Sequence, residues 1–179
     1  LGPKNLIEIG CGYGGTLFQL QAAFPDVKMS GIDISQEYID RAKERLSDYN
    51  PTLLKGDITK PQPFKSGEFD VAVTCGLFIH VPPEYIEKAI MEAVRISKNG
   101  LFIESSVKNG HNKAPVYDAE KYWEERAKKV VKDETAGEVQ YYFAHDYEEL
   151  FKKLGLKYES LGTVDKNTDT KIWWVVENE

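Results

Sequence analysis

Cysteine is scarce in this 179-residue sequence: Cys11 and Cys75 are the two that occur. Neither sits in a C-x-x-C pair, which argues against a disulfide framework or a zinc site. Two buried, reduced thiols are the expected state. No apolar run approaches the roughly 20 residues that span a bilayer. The opening LGPKN has neither the charged nor the apolar region of a signal peptide. No membrane association is expected, and the expected location is cytoplasmic. Positive charge is also short. Lys and Arg number 23 against 29 Asp and Glu, a net charge of −6. Nucleic-acid binding draws on a basic stripe. The nearest candidate, Lys128, Lys129 and Lys132, is interleaved with Glu120, Glu124, Glu125 and Asp133 and reads as a solvated mixed-charge face. A G-x-S-x-G elbow, a Walker lysine, a calcium loop and an H-x-x-x-H pair are all missing, so no metal is expected.

What is present is alternation. LIEIG, VKMSGIDIS, PTLLKGDIT, FDVAVTCG and NGLFIESS read as strands. Between them, residues 15–24, 36–50 and 82–97 read as helices, the last starting at its prolines. Repeated β-α units predict a doubly wound, mostly parallel α/β sheet with helices on both faces. After residue 106 the pattern loosens. AEKYWEERAKKVV and YEELFKKLG read as helices. KYESLGTV and KIWWVVEN read as an antiparallel hairpin closing one sheet edge. In the second of these strands, Trp173 and Trp174 should face opposite ways. No repeat or long linker divides the chain. It reads as one domain over 1–179, with a cofactor half to about 105 and a substrate side from about 106.

The first strand runs into LIEIGCGYGGT. Gly10, Gly12 and Gly15 fit G-x-G-x-x-G, a dinucleotide pattern. Gly10, Gly12 and Gly14 behind Glu8 fit E-x-G-x-G-x-G instead. Either way the turn borders the crevice beyond the carboxyl ends of the strands. Glu8 tilts the choice. A buried carboxylate is costly without a partner, and it would repel a pyrophosphate on the next helix. A ligand with an ammonium and a sulfonium suits it better. Asp33 ends strand two about 20 residues on, where a carboxylate can hold ribose hydroxyls. Asp57 ends strand three and can accept from an adenine amine, with Ile58 against the ring. A Gly-Asp turn without a ligand is the plainer alternative for Asp57.

LIEIGCGYG, GIDIS, KGDIT and FDVAVTCGLFIHVPPE, in this order, resemble class I S-adenosylmethionine-dependent methyltransferases. The resemblance covers residues 5–105. It implies a Rossmann-like seven-stranded sheet with a reversed last strand. It implies S-adenosylmethionine as cofactor and S-adenosylhomocysteine as product. On that resemblance Gly10, Cys11, Gly12 and Gly14 line the methionine end with Glu8 beneath. Asp33 and Ile34 hold the ribose. Gly56, Asp57 and Ile58 hold the adenine, and Thr74, Cys75 and Gly76 flank the cofactor. The family places one or two covering helices ahead of strand one, whereas this sequence starts almost at strand one. A looser resemblance runs through GLFIHVPPE, FAHDYEELF and TKIWWVVENE, to methylases of bacterial surface-sugar biosynthesis of the pseudaminic acid type.

Methyl transfer mainly needs alignment and exclusion of water. A hydroxyl acceptor also needs a general base. TCGLFIH stands where N-P-P-[YF] would suggest amide or base-amine methylation. Candidate bases are His80, after strand four, His145, beside Tyr141, Tyr142 and Phe143, and His111; Glu104, ending strand five, is a further candidate for base or acceptor contact. Packing roles are open for each of them. The expected function is methyl transfer to a small molecule, with a sugar hydroxyl as one acceptor, by a monomer or homodimer. A nicotinamide-dependent oxidoreductase and a non-catalytic cofactor-binding domain stay open. The oxidoreductase reading lacks a Tyr-x-x-x-Lys pair, since Tyr122 is followed by Arg126.

Overall fold

The computed structural model describes residues 2–106, 118–132, 134–135, 141–165, 167 and 169–176. Its first strands are β1 (Asn5–Ile9), β2 (Lys28–Asp33), β3 (Thr52–Lys55), β4 (Val71–Cys75) and β5 (Gly100–Ser105). These are followed by β6 (Lys157–Asp165) and β7 (Thr170–Val176). They form one seven-stranded sheet in the order β3-β2-β1-β4-β5-β7-β6. β1 pairs in parallel with both β2 and β4, and β7 runs antiparallel between β5 and β6. The doubly wound sheet with its C-terminal hairpin is therefore as expected. Strand order reverses between β1 and β4, which places the ligand crevice at their carboxyl ends.

Two helical layers cover the sheet. α1 (Gly15–Ala23) and α2 (Gln36–Arg45) lie on one face, over Leu6, Val71 and Val73. α3 (Ile86–Ile96) and α5 (Tyr147–Lys153) lie on the other, over Ile7, Ala72 and Phe102. Period-2 alternation in β1 and β4 feeds both cores, which is why these strands are apolar on both sides. Trp173 is 1% exposed and packs on Tyr147 and Phe151, whereas Trp174 joins the opposite layer half-buried. The edge strands are β3 and β6, and the tryptophan strand β7 lies inside the sheet.

α4 (Ala119–Val131) packs on α2. Side chains cap three helices at their first turns: Ser35 on α2, Asp118 on α4 and Asp146 on α5. α3 begins at Ile86 rather than at its prolines. Pro83 bars Pro82 from helical geometry. The Pro82 carbonyl instead accepts from both Tyr85 and Ile86 in a turn. α2 stops at Arg45, five residues earlier than the charge pattern suggests, and the chain turns through Asn50 (φ 51°) ahead of Pro51. Cys11 is buried as expected but Cys75, the last residue of β4, is exposed. No helix among the described residues is long and apolar enough to cross a membrane.

Candidate active site

The turn after β1 is built by hydrogen bonds to β2. Gly10 and Cys11 N–H both donate to the Ile32 carbonyl (2.8 and 3.0 Å), and Gly12 N–H donates to Asp33 Oδ2 (2.9 Å). Gly12 has φ 51°, and a Cβ there would meet nothing within 4 Å. It would stand in open cleft. Gly10 has φ 72°, and its Cβ would lie 2.7 Å from Leu77 Cδ1. The turn thus needs glycine for conformation at both positions, and for close approach to the β4 side at the first.

The cleft at the reversal point holds about 1110 Å³. Gly10, Gly12 and Tyr13 line it from the first turn, Asp33 and Ile34 from the end of β2. Gly56, Asp57 and Ile58 follow β3, and Gly76, Leu77 and His80 follow β4. Asp118, Glu120 and Trp123 close it from α4. That helix is tied down beside the cleft: Ser35 Oγ donates to Glu124 Oε2 (2.9 Å), and Lys55 pairs with Glu120.

Five of the expected cofactor residues stand outside this lining. Glu8 is buried in β1 beneath α1, with Oε2 unpartnered. Burial pushes its pKa up to about 8, against the pull of Thr16 and the Leu17 N–H. Cys11 points into the α1–α2 core, and burial raises its thiol well above the ordinary value. Gly14 starts α1 against Leu46 and Ala42 of the α2 segment. Thr74 is fully buried, and Cys75 lies at the strand end without reaching the lining.

Asp33 is 8% exposed, and each of its oxygens takes one backbone N–H, from Gly12 and from Ser35 (both 2.9 Å). A carboxylate offers about four lone-pair sites, so two remain for a ligand. Burial raises its pKa, opposed by those two bonds. Asp57 is part of its own turn: Oδ1 accepts from Thr59 N–H and Oγ1, and Oδ2 pairs with Lys60 at 2.9 Å. Burial resists its ionisation, but Thr59 and Lys60 outweigh it and the pKa falls.

Of the candidate bases among the described residues, His80 is the one that lines the cleft. Its Nδ1 lies 2.9 Å from the Tyr141 carbonyl. A carbonyl only accepts, so Nδ1 carries the hydrogen and the neutral ring has its lone pair on Nε2. Burial lowers its pKa, keeping it neutral. Trp123 and Tyr142 pack against the ring at 4.6 and 5.2 Å between centroids. His145 is buried behind the cleft, with Nε2 2.9 Å from the Val81 carbonyl. Glu104 is 0% exposed and faces the backbone of Leu77 and Phe78, not the cleft. His111 lies outside the described residues. The sequence reading missed Tyr13 and Trp123. Tyr13 occupies a variable position inside the glycine motif. Trp123 reaches the cleft through the long connection after β5, which no local pattern announces.

Known proteins share this architecture. The family model described as "Methyltransferase domain" matches residues 6–100. Malonyl-[acyl-carrier protein] O-methyltransferase of Anoxybacillus flavithermus is 29% identical over 86 residues, 48% of this chain and 33% of that protein. Norajmaline N-methyltransferase of Rauvolfia serpentina is 31% identical over 102 residues, 55% of this chain and 34% of that protein. The matched stretch thus spans about a third of these curated relatives' length. Magnesium protoporphyrin IX methyltransferase from Synechocystis PCC 6803, solved with bound S-adenosylhomocysteine, superposes with a TM-score of 0.66 at 15% identity. That superposition covers 97% of this chain and 74% of the other, a likeness of fold. None of these similarities supports the hydride-transfer reading of the glycine turn. The match over more than half its length, on a sheet of this topology, makes the chain a member of the methyltransferase-domain family.

Proposed function

We propose that this chain, as one domain, transfers a methyl group from S-adenosylmethionine to a hydroxyl of a small-molecule acceptor, with His80 as general base. The cofactor fits what the cleft offers. The open space over Gly12 and Gly76 admits a ligand against bare backbone. The donor set along the strand ends is carboxylate and amide, suited to a nucleoside and an ammonium rather than to phosphates. When bound, S-adenosylmethionine supplies an activated methyl on a positive sulfur. Gly10 and Gly12 would bring backbone to its amino-acid end, with Glu8, Cys11 and Gly14 shaping the turn from behind. Asp33 would hold the ribose hydroxyls beside Ile34. Asp57, Gly56 and Ile58 would border the adenine. Gly76, Thr74 and Cys75 form the opposite wall and its support.

One observation supports the choice of acceptor atom: His80 lines the cleft with its Nδ1 held by the Tyr141 carbonyl, an arrangement that leaves the lone pair on Nε2. Nε2 can take the proton that a hydroxyl must lose on methylation. The two relatives' names state one O- and one N-methylation, so the family leaves the atom open. The resemblance to surface-sugar methylases makes a sugar hydroxyl the first acceptor to try.

The test is methyl-labelled S-adenosylmethionine with a panel of sugars, amines and carboxylic acids. Label is expected on a hydroxyl. The His80→Ala variant should lose roughly 10²–10⁴-fold in kcat, the range of general base catalysis. Its affinity for S-adenosylhomocysteine should stay within about threefold of wild type, a change under 1 kcal/mol. Undiminished turnover in that variant would remove His80 from the chemistry.

A further inference from the structure

Glu104 was a candidate for the chemistry itself, yet the fold gives it no access to the cleft. It ends β5, fully buried, and both carboxylate oxygens are engaged with backbone. Oε1 accepts from Leu77 N–H at 3.1 Å and Oε2 from Phe78 N–H at 3.0 Å. Those two amides open the single 3-10 turn over Phe78–His80. Amides at the start of such a turn have no partner within it, and Phe78 is 0% exposed. A buried N–H left unpaired is costly. Glu104 supplies two acceptors to two donors in one side chain.

We propose that Glu104 is a positioning residue, which holds the turn bearing His80 and Leu77 against the cleft from behind. The proposal rests on the reading of His80 as a cleft residue of the reaction.

The turn is gripped from two sides. On one, Glu104 holds Leu77 and Phe78. On the other, the 141–145 segment holds the rest: Phe143 N–H donates to the Ile79 carbonyl at 2.7 Å, Tyr141 accepts from the His80 ring, and the His145 ring donates to the Val81 carbonyl. His80 N–H closes the turn onto the Leu77 carbonyl at 2.9 Å. Any shift at Leu77 therefore travels two ways. It moves the imidazole three residues on. It also moves the side chain that sits over Gly10. The second consequence ties the acceptor side of the cleft to the cofactor side through one carboxylate.

The charge state of Glu104 sets the grip. Ionised, it offers acceptors to both amides. Protonated, one oxygen becomes a donor and one amide loses its partner. Burial pushes the pKa up to about 7, against the pull of Thr74 and of the Leu77, Phe78 and Ile79 amides. The Thr74 hydroxyl and the Tyr147 hydroxyl, the latter buried without a hydrogen-bond partner, are the neutral groups beside a protonated Glu104. The Tyr147 phenol on α5 and the Cys75 thiol on β4 sense the Glu104 charge, and Lys171 of β7 stands directly opposite Glu104 in the β5–β7 ladder. Neither the phenol nor the thiol is a cation at neutral pH. The grip is thus strongest above about pH 7 and loosens below it.

The experiment is NMR on protein labelled at Glu Cδ, His ring nitrogens and backbone amides, titrated from pH 5.5 to 8.5, with no cofactor or acceptor. These limits bracket the Glu104 value by roughly 1.5 units each way. In wild type, Glu104 Cδ should titrate near 7. The Leu77 and Phe78 amides and the His80 ring nitrogens should show an inflection at that same pH. In Glu104→Gln the shared inflection should vanish. Gln presents one acceptor and one clashing donor, so exchange of those two amides should quicken by roughly tenfold or more. The His80 ring should lose its fixed Nδ1–H signature and titrate closer to the ordinary value. His80 resonances indifferent both to Glu104 titration and to the substitution would overturn the proposal. Should the Gln variant fail to fold, wild-type co-titration decides alone. A failure of the general-base reading would appear instead as turnover in His80→Ala, with the NMR coupling intact.

Discussion

Replacing Asp33 by alanine is expected to weaken S-adenosylhomocysteine binding by about 1.5–3 kcal/mol, roughly 10- to 150-fold in Kd. Two effects contribute. Asp33 would lose its own hydrogen bonds to the ribose. It would also release Gly12 N–H and Ser35 N–H, which it now anchors at 2.9 Å each. The first effect belongs to the ligand and the second to the turn. They separate in a cycle of adenosine and 2′,3′-dideoxyadenosine against wild type and Asp33→Ala. Wild type should prefer adenosine. The variant should bind the two nucleosides alike, because the missing hydroxyls then have no carboxylate to meet. Calorimetry reads all four corners. An unchanged preference for adenosine in the variant would place the ribose elsewhere.

Stability should fall as pH rises from 6 to 9, and Glu8 should cause most of the fall. Its pKa is raised from 4.5 to about 8 by burial in β1, and that of Glu104 from 4.5 to about 7. A raised carboxyl pKa means that the fold resists the charge. The stability these two groups contribute is complete below about 4.5, and is lost as pH passes through 7 and then 8. At about 1.4 kcal/mol per unit, the Glu8 shift alone is on the order of 5 kcal/mol at full ionisation. Relaxation and water entry should reduce this to about 2–4 kcal/mol. For a chain of this length that is roughly 5–12 °C in Tm. Glu8→Gln keeps the shape and removes the charge. It should match wild type near pH 5 and melt several degrees higher at pH 9. A Tm that rises between pH 6 and 9 in wild type would contradict this account. On the acid side the sign reverses: Lys98 and the Lys4 amide hold Asp70 below its ordinary value, and that contribution is lost as pH falls further.

The same Glu8 shows why part of the site was legible in the sequence. Strand periodicity located β1, β2 and β4, and a carboxylate inside an apolar strand stood out as costly. The glycine turn and Asp33 followed from local chemistry, and each occupies the expected element. What local chemistry could not supply was distance across the fold. Glu104 and His80 look alike in sequence, each a polar residue at a strand's carboxyl end. The pairing of β5 with β4 turns one toward buried amides, while the 3-10 turn carries the other to the cleft. Trp123 depends on α4 lying across α2, which rests on the Ser35–Glu124 bond between residues far apart in the chain. The start of α3 was misread for a more local reason, since two consecutive prolines delay a helix that one would begin.

The most direct test is calorimetric titration of the protein with S-adenosylmethionine, S-adenosylhomocysteine and NAD in parallel. A cleft with the Asp33 carboxylate at the end of β2, and bare backbone at Gly12, predicts binding of the first two at micromolar Kd, on the order of −8 kcal/mol, and none of NAD. Binding of NAD without S-adenosylhomocysteine would contradict the account at its base, in the reading of the turn around Gly10 and Gly12.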